Sequence, residues 1–251
     1  MNSLATNSIL YSKNSSGVAW ITFNQPSTFN AINAEIRDGL WEFLHAAKDD
    51  RDVRVLGFRA MGKDAFSSGA DITEFGTAPS IFEARDARRN RDIWALLESI
   101  PIITVAVLHG YCFGAGIELA LFCDFRIAST DTLIAFPEVA LGYIPSAGGT
   151  QMIQRVSMSS ASRVLPITGE RIDSIRALKW GIVSDVVEID NLDSRATEFT
   201  HELASRDTQM LCRAKESILR GTGRSLEAAI AFDADVASLT RLRGDFPKPS
   251  L

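Results

Sequence analysis

Residues 102–122 read IITVAVLHGYCFGAGIELALF, and the order of the parts decides the fold class. The first seven residues are an unbroken apolar run of strand length, the mark of a strand covered on both faces. A turn rich in small residues follows, containing Gly110, Gly114 and Gly116, and an apolar helix is expected over Ala115–Phe122. A buried strand that passes through such a turn straight into a helix belongs to an α/β arrangement.

The flanking sequence extends this pattern in both directions. Upstream, Val18–Phe23 (VAWITF) reads as a strand, and Gln25-Pro26-Ser27-Thr28 breaks it. Asn33 is a candidate N-cap for a helix over 34–47 that places Ile36, Leu40, Phe43, Leu44 and Ala47 on one face. A second strand is expected at 53–58. A polar helix over 81–99 follows, with Ile93, Trp94, Leu96 and Leu97 as its apolar stripe. Downstream, strands are expected at 125–128 and 133–136, then a Pro/Gly loop from Pro137 to Gly149. Beyond about residue 150 the chain turns mainly helical. Asp173 or Ser174 caps a helix ending near Gly181, 182–187 forms a last strand, and 195–243 is helix with one break at Gly221-Thr222-Gly223. The expectation is an α/β core over residues 1–190 and a helical C-terminal region over 191–251.

Composition narrows the function classes. The chain has 251 residues, 46% hydrophobic and 23% charged, which suits an ordinary globular protein with a sizeable core. A net charge of −5 argues against a nucleic-acid partner, since tracking phosphates requires a basic surface. No apolar run is long enough to cross a bilayer, and the opening MNSLATNSIL lacks the pattern of a secretory signal. Cys112, Cys123 and Cys212 stand singly, without CxxC spacing, as thiols in a reducing compartment would. A cytoplasmic protein is expected. His45, His109 and His201 lack metal-ligand spacing, so no metal site is expected. Ser146 is not in a G-x-S-x-G elbow, and neither G-x-G-x-x-G nor a Walker loop occurs.

Two loops carry the candidate chemistry: Ala65-Phe-Ser-Ser-Gly-Ala-Asp-Ile72 and Gly110-Tyr-Cys-Phe-Gly-Ala-Gly-Ile-Glu118. Small side chains admit a ligand close to the backbone, and a helix start leaves N–H groups without internal partners. One N–H from each loop, if the loops converge, forms an oxyanion hole. The competing reading is that the glycines serve only turns and tight packing. Glu118 lies within an apolar helix, where a carboxylate is costly unless paired, functional or set near the helix N-terminus. Glu138 follows Pro137, and taken alone it is equally well a solvated loop acid. Two carboxylates flanking one oxyanion hole would make a water-activating pair.

These residues together resemble the enoyl-CoA hydratase/isomerase, or crotonase, superfamily over residues 18–187. Phe66-Ser-Ser-Gly-Ala-Asp-Ile72 resembles its first oxyanion loop, and His109-Gly-Tyr-Cys-Phe-Gly-Ala-Gly-Ile-Glu-Leu-Ala120 with Cys123-Asp124 its second. Residues 136–150, FPEVALGYIPSAGGT, resemble the segment bearing the second acid. Thr168-Gly-Glu-Arg-Ile-Asp173, with Ala177-Leu178 and Gly181-Ile-Val183, resembles the downstream signature. The resemblance implies a core of repeated ββα units, with a helical C-terminal region that serves trimerisation and covers the active site. It also implies assembly as a homotrimer or dimer of trimers. No cofactor is implied beyond coenzyme A as part of the substrate. The thioester oxygen would sit between the N–H groups of Ala70 and Ala115, with Ser68, Asp71, Ile72, Tyr143 and Ser146 also touching the substrate or its CoA.

The resemblance further implies a reaction type. Family members that hydrate enoyl thioesters carry acids at both positions matched by Glu118 and Glu138, so an enoyl-CoA hydratase is expected. The alternatives are a crotonase-fold isomerase, hydrolase or lyase, or a non-catalytic CoA-ester-binding or scaffold member. Several positions depart from the usual pattern. Ser146 replaces a frequent glycine, Tyr143 is bulkier than the usual residue, and Pro26-Ser-Thr-Phe-Asn30 lacks a basic residue. The end of the chain lacks the Phe-x-Glu-Lys-Arg pattern.

Overall fold

The computed structural model describes residues 2–5, 7–77, 80, 82–83 and 89–241. Its core is a sheet of seven strands in the order β1 (Asn2–Ala5), β2 (Ile9–Lys13), β3 (Val18–Phe23), β4 (Val55–Ala60), β6 (Ile103–Leu108), β8 (Phe125–Ser129) and β11 (Asp185–Val187). The first three pair antiparallel, and from β3 onward all neighbours are parallel. β6 is buried at all six positions, as its apolar run requires of a strand covered on both faces. A second, smaller sheet has the order β10 (Ile172–Asp173), β9 (Leu133–Ala135), β7 (Tyr111–Phe113) and β5 (Ala65–Ser67).

The chain alternates between the two sheets. β4 is followed by β5, β6 by β7, and β8 by β9, so each unit places one strand in each sheet before a helix returns the chain. This is the expected repeated ββα core. Helix α1 (Ala34–Asp49) starts at Asn33, whose side chain accepts the Ile36 N–H, and it buries Ile36, Leu40, Phe43, Leu44 and Ala47 as the periodicity predicts. Helix α2 (Ile93–Glu98) buries Ile93, Leu96 and Leu97. The expected helix over 81–99 is longer, and residues 81 and 84–88 of it lie outside the described residues. Helix α3 (Ala115–Phe122) has the expected bounds.

The loop expected from Pro137 to Gly149 opens instead with a 3-10 turn, Pro137–Leu141, and two helices follow, α4 (Gly149–Val156) and α5 (Ala161–Thr168). Asp173 caps α6 (Ser174–Lys179) by accepting the Arg176 N–H. The helix expected over 195–243 breaks twice rather than once, into α7 (Leu192–Ser205), α8 (Thr208–Gly221) and α9 (Leu226–Arg241). The additional break falls before Asp207, whose carboxylate accepts the Gln209 and Met210 N–H groups and starts a new helix.

The chain forms two compact units, Met1–Ser205 and Arg206–Leu251. The expected boundary was 190/191. Helix α7 belongs to the first unit because Leu192, Ala196, Thr200, Leu203 and Ala204 are buried there. In the second unit α8 and α9 pack together, with the Arg220 and Arg224 guanidinium groups over the Phe232 ring at 5.8 and 5.4 Å. Among the described residues no helix is long and apolar enough to cross a membrane.

Candidate active site

The small sheet determines where the candidate residues lie. β5, β7 and β9 are parallel neighbours, with Ser67 opposite Cys112 and Phe113 opposite Ala135. Parallel neighbours run about 4.8 Å apart, so the chain leaves all three strands at the same edge. Ser68-Gly69-Ala70 leaves β5, Gly114-Ala115 leaves β7, and Phe136-Pro137-Glu138 leaves β9. The space beyond the carboxyl ends of parallel strands is where α/β folds place ligands.

Backbone N–H groups line one side of this space. Ile32 donates to Gly69 O at 2.8 Å and accepts from Asp71 N at 3.1 Å, which turns the Ala70 N–H the other way. Ala115 is the first residue of α3, and among the described residues neither its N–H nor that of Ala70 donates within the chain. The two loops touch. Gly69 has φ +104, and a side chain built on it would lie 3.0 Å from Phe113 O and 3.5 Å from Ala115 N. Only glycine permits that approach. Gly116 is similarly close, since a Cβ there would lie 2.8 Å from the Ser67 Cβ.

The first loop is held from behind by Asn30. Its amide donates to Met61 O at 3.0 Å and Ala65 O at 2.9 Å, its side-chain oxygen accepts Gln25 N, and its carbonyl accepts the Ser67 hydroxyl. Asn30 is buried and left-handed at φ 53, a conformation asparagine tolerates better than most residues.

The two acids face this space from opposite elements. Glu118 is 2% exposed and sits in the first turn of α3. Its Oε1 accepts the Ala147 N–H at 3.0 Å and the Gly149 N–H at 2.8 Å. That oxygen accepts two backbone donors, which hold the carboxyl in place. Glu138 is 3% exposed, and its Oε2 is buried with no hydrogen-bond partner among the described residues. Burial pushes its carboxyl up to about 7, against an ordinary 4.5, and the nearby Glu118 charge pushes the same way. A Cβ on Gly114 would lie 2.9 Å from Glu138 Oε1, so the second acid lies against the start of α3. Two carboxyls in contrasting environments, beside two unengaged N–H groups, can divide base and acid roles between them.

The remaining expected residues fall around this centre. Tyr143 donates its N–H to Glu138 O at 3.1 Å, and its phenol is pushed up by burial and by the Glu138 and Glu118 charges. Ser68 is half-buried and donates its N–H to Phe29 O. Asp71 points its carboxylate at Thr73 N and Oγ1, capping the exposed turn Ile72–Glu74. Ser146 is exposed, one residue before the Ala147 N–H that Glu118 accepts.

Three contributors have only weak sequence signals. Ala147 and Gly149 act through backbone N–H groups, which no residue type announces. Arg126 is buried, and its guanidinium donates to Ala120 O at 3.1 Å and to the carbonyls of Cys123 and Ile182, closing the C-terminal end of α3. Desolvation pushes its pKa down. An arginine inside the apolar strand segment FRIA was the available clue.

Comparison with known proteins places the chain in a family. The family model for enoyl-CoA hydratase/isomerase matches residues 13–246. A short-chain-enoyl-CoA hydratase of Clostridium acetobutylicum is 29% identical over 218 residues, covering 87% of this chain and 84% of that protein. An (E)-benzylidenesuccinyl-CoA hydratase of Thauera aromatica is 32% identical over 222 residues, covering 87% and 85%. The crystal structure of an enoyl-CoA hydratase from Bacillus anthracis superposes with a TM-score of 0.86 at 28% identity, covering 92% of this chain and 90% of that one. With buried carboxylates and free N–H groups gathered at one sheet edge, and a family match spanning nearly its whole length, the chain belongs to the enoyl-CoA hydratase/isomerase family.

Proposed function

We propose that this enzyme hydrates the C2–C3 double bond of an enoyl-CoA thioester, and catalyses the reverse dehydration, with Glu118 and Glu138 as its acid–base pair. The observation that carries this reading is the contrast between the two acids. Glu118 Oε1 accepts two backbone N–H groups, and Glu138 holds a buried oxygen with no hydrogen-bond partner among the described residues and a carboxyl raised to about 7.

In this reading the thioester carbonyl oxygen accepts the N–H groups of Ala70 and Ala115, and water lies between the carboxyls. Ionised Glu118 takes a proton from the water as its oxygen bonds to C3. The π electrons move onto the thioester as an enolate, stabilised at the two N–H groups. Protonated Glu138 then gives its proton to C2, and the proton held by Glu118 restores the pair. Water is added and no proton is gained or lost. Ser68, Asp71, Ile72, Tyr143 and Ser146 border the substrate or its CoA portion, and coenzyme A enters only as part of the substrate. Assembly as a homotrimer or dimer of trimers in the cytoplasm, with the C-terminal helices aiding assembly, belongs to the same proposal. Solution mass by light scattering tests the assembly.

The test of the activity is direct. Incubation with crotonyl-CoA is expected to bleach the conjugated-thioester absorbance and yield 3-hydroxybutanoyl-CoA by mass. A shifted double bond or a free acid in place of that product would refute the hydratase assignment, as would binding without turnover.

A further inference from the structure

Two aromatic rings meet beside the acids, and each is tied to one part of the chemistry. Phe75 closes the turn Ile72–Glu74, which begins immediately after Ala70 and Asp71, and its N–H donates to Ile72 O. That turn is anchored at both ends. Asp71 caps it, and the Glu74 carboxylate accepts Ala34 N at 2.8 Å and Arg37 Nη2 at 2.9 Å at the start of α1. Tyr143 is tied through its N–H to the carbonyl of Glu138. The two ring centroids lie 5.4 Å apart with planes at 72°, an edge-to-face pair.

The position of this pair along a bound substrate follows from the proposed chemistry, on which the inference rests. The thioester carbon lies at Ala70 and Ala115, and C3 lies between the carboxyls. A substituent on C3 must therefore leave past the residues next to Glu138. Tyr143 is the ring there, and its phenol feels both carboxylate charges. Phe75 is 51% exposed, and Ile72, Leu141 and Ile144 are exposed on the same two segments. A flat ring presented at the exposed side of Phe75 would extend the edge-to-face arrangement.

We infer that the Phe75–Tyr143 pair makes this a hydratase of aryl-bearing acyl-CoA thioesters, with the aromatic ring carried on C3, in preference to linear alkyl ones. An aromatic contact stabilises beyond simple area burial by an amount equal to about two- to tenfold in affinity per ring. The pair acts on specificity and takes no part in proton transfer.

The experiment compares dehydration of 3-hydroxy-3-phenylpropanoyl-CoA with that of 3-hydroxyoctanoyl-CoA, both followed by the rise of conjugated-thioester absorbance. A benzylic substrate reacts faster intrinsically, so the quantity read is the aryl-to-alkyl ratio of kcat/KM in each variant divided by that of the wild type. Intrinsic reactivity and the fraction of folded enzyme both cancel. Phe75→Leu and Tyr143→Leu are each expected to lower the ratio about two- to tenfold, while Tyr143→Phe leaves it within about twofold. Equal losses on both substrates in the two leucine variants would overturn the inference while leaving the hydratase reading in place. A ratio lost in Tyr143→Phe would overturn it too, by assigning recognition to the hydroxyl. A wild type that turns over neither substrate nor crotonyl-CoA would overturn both readings.

Discussion

Replacing Glu138 with Gln preserves the shape of a buried side chain and removes only its capacity to ionise and to carry a proton. In the wild type, burial and the Glu118 charge hold the carboxyl at about 7 in place of 4.5. At about 1.4 kcal/mol for each tenfold change, this displacement corresponds to roughly 3 kcal/mol against the charged form. Solvent reaching the mouth of the site screens part of it and leaves about 1–3 kcal/mol. The sign follows from proton counting. Between pH 4.5 and about 7 the folded chain keeps a proton that the unfolded chain has released. Stability is therefore fully present below the lower value and is lost as pH rises through the upper one. Urea unfolding of wild type and Glu138→Gln across this window isolates the contribution of Glu138 and its coupling to Glu118, because titrating groups that do not interact with Glu138 cancel in the difference. The wild type is expected to lose about 1–3 kcal/mol relative to the variant and to stay level above the window. Activity supplies a second readout. Hydration gains and loses no proton, so both directions share the singly protonated pair, and kcat/KM should fall above about pH 7 in both with one profile. In Glu138→Gln, kcat drops about 10²–10⁴-fold and the limb disappears. A stability difference that is flat or rises with pH, or a wild-type kcat/KM that stays constant through neutrality, would refute the account of Glu138.

Glu118→Gln keeps an oxygen to accept Ala147 and Gly149 but loses the base, so kcat should fall about 10²–10⁴-fold with an unchanged melting curve. Equal loss of activity and fold would make Glu118 structural. Gly114→Ala places a Cβ 2.9 Å from Glu138 Oε1 at φ +48. Stability should fall by about 1–2 kcal/mol, and kcat should fall by roughly tenfold or more from the displaced acid; unchanged turnover in a variant that folds would contradict the described contact. Arg126→Met leaves the Ala120, Cys123 and Ile182 carbonyls without their buried donor. Unfolding free energy should drop by about 3 kcal/mol or more, and a loss below about 1 kcal/mol would mean that these carbonyls find other partners.

Much of the fold can be read locally. The strands at Val18–Phe23 and Ile103–Leu108, and the helices at Ala34–Asp49 and Ala115–Phe122, follow from apolar runs, 3.6-residue periodicity and the Asn33 cap, and the structure places them within two residues of expectation. The strands Ala65–Ser67 and Tyr111–Phe113 went unread because three residues are too few to display a period. The added helix break before Asp207 was missed because the charged residues around it also suit an exposed helix face. Helices α4 and α5 fall where the chain is expected to turn mainly helical, but the glycines and proline that flank and interrupt them conceal their separate bounds.

The sequence by itself determined the chemical parts: two acids, two small-residue loops, a buried strand and a family resemblance that orders them. It left Glu118 and Glu138 each with an innocent reading, because burial and proximity are not properties of a residue's neighbours in the chain. Only the tertiary structure decided that the ends of β5, β7 and β9 share one edge, since strand pairing across tens of residues sets which loops meet. It also decided what distinguishes the acids. Two backbone N–H groups, from Ala147 and Gly149, reach Glu118, while Glu138 Oε2 is buried with no hydrogen-bond partner among the described residues. Those effects arise from how the backbone packs around each carboxyl, and packing is fixed by the whole fold at once.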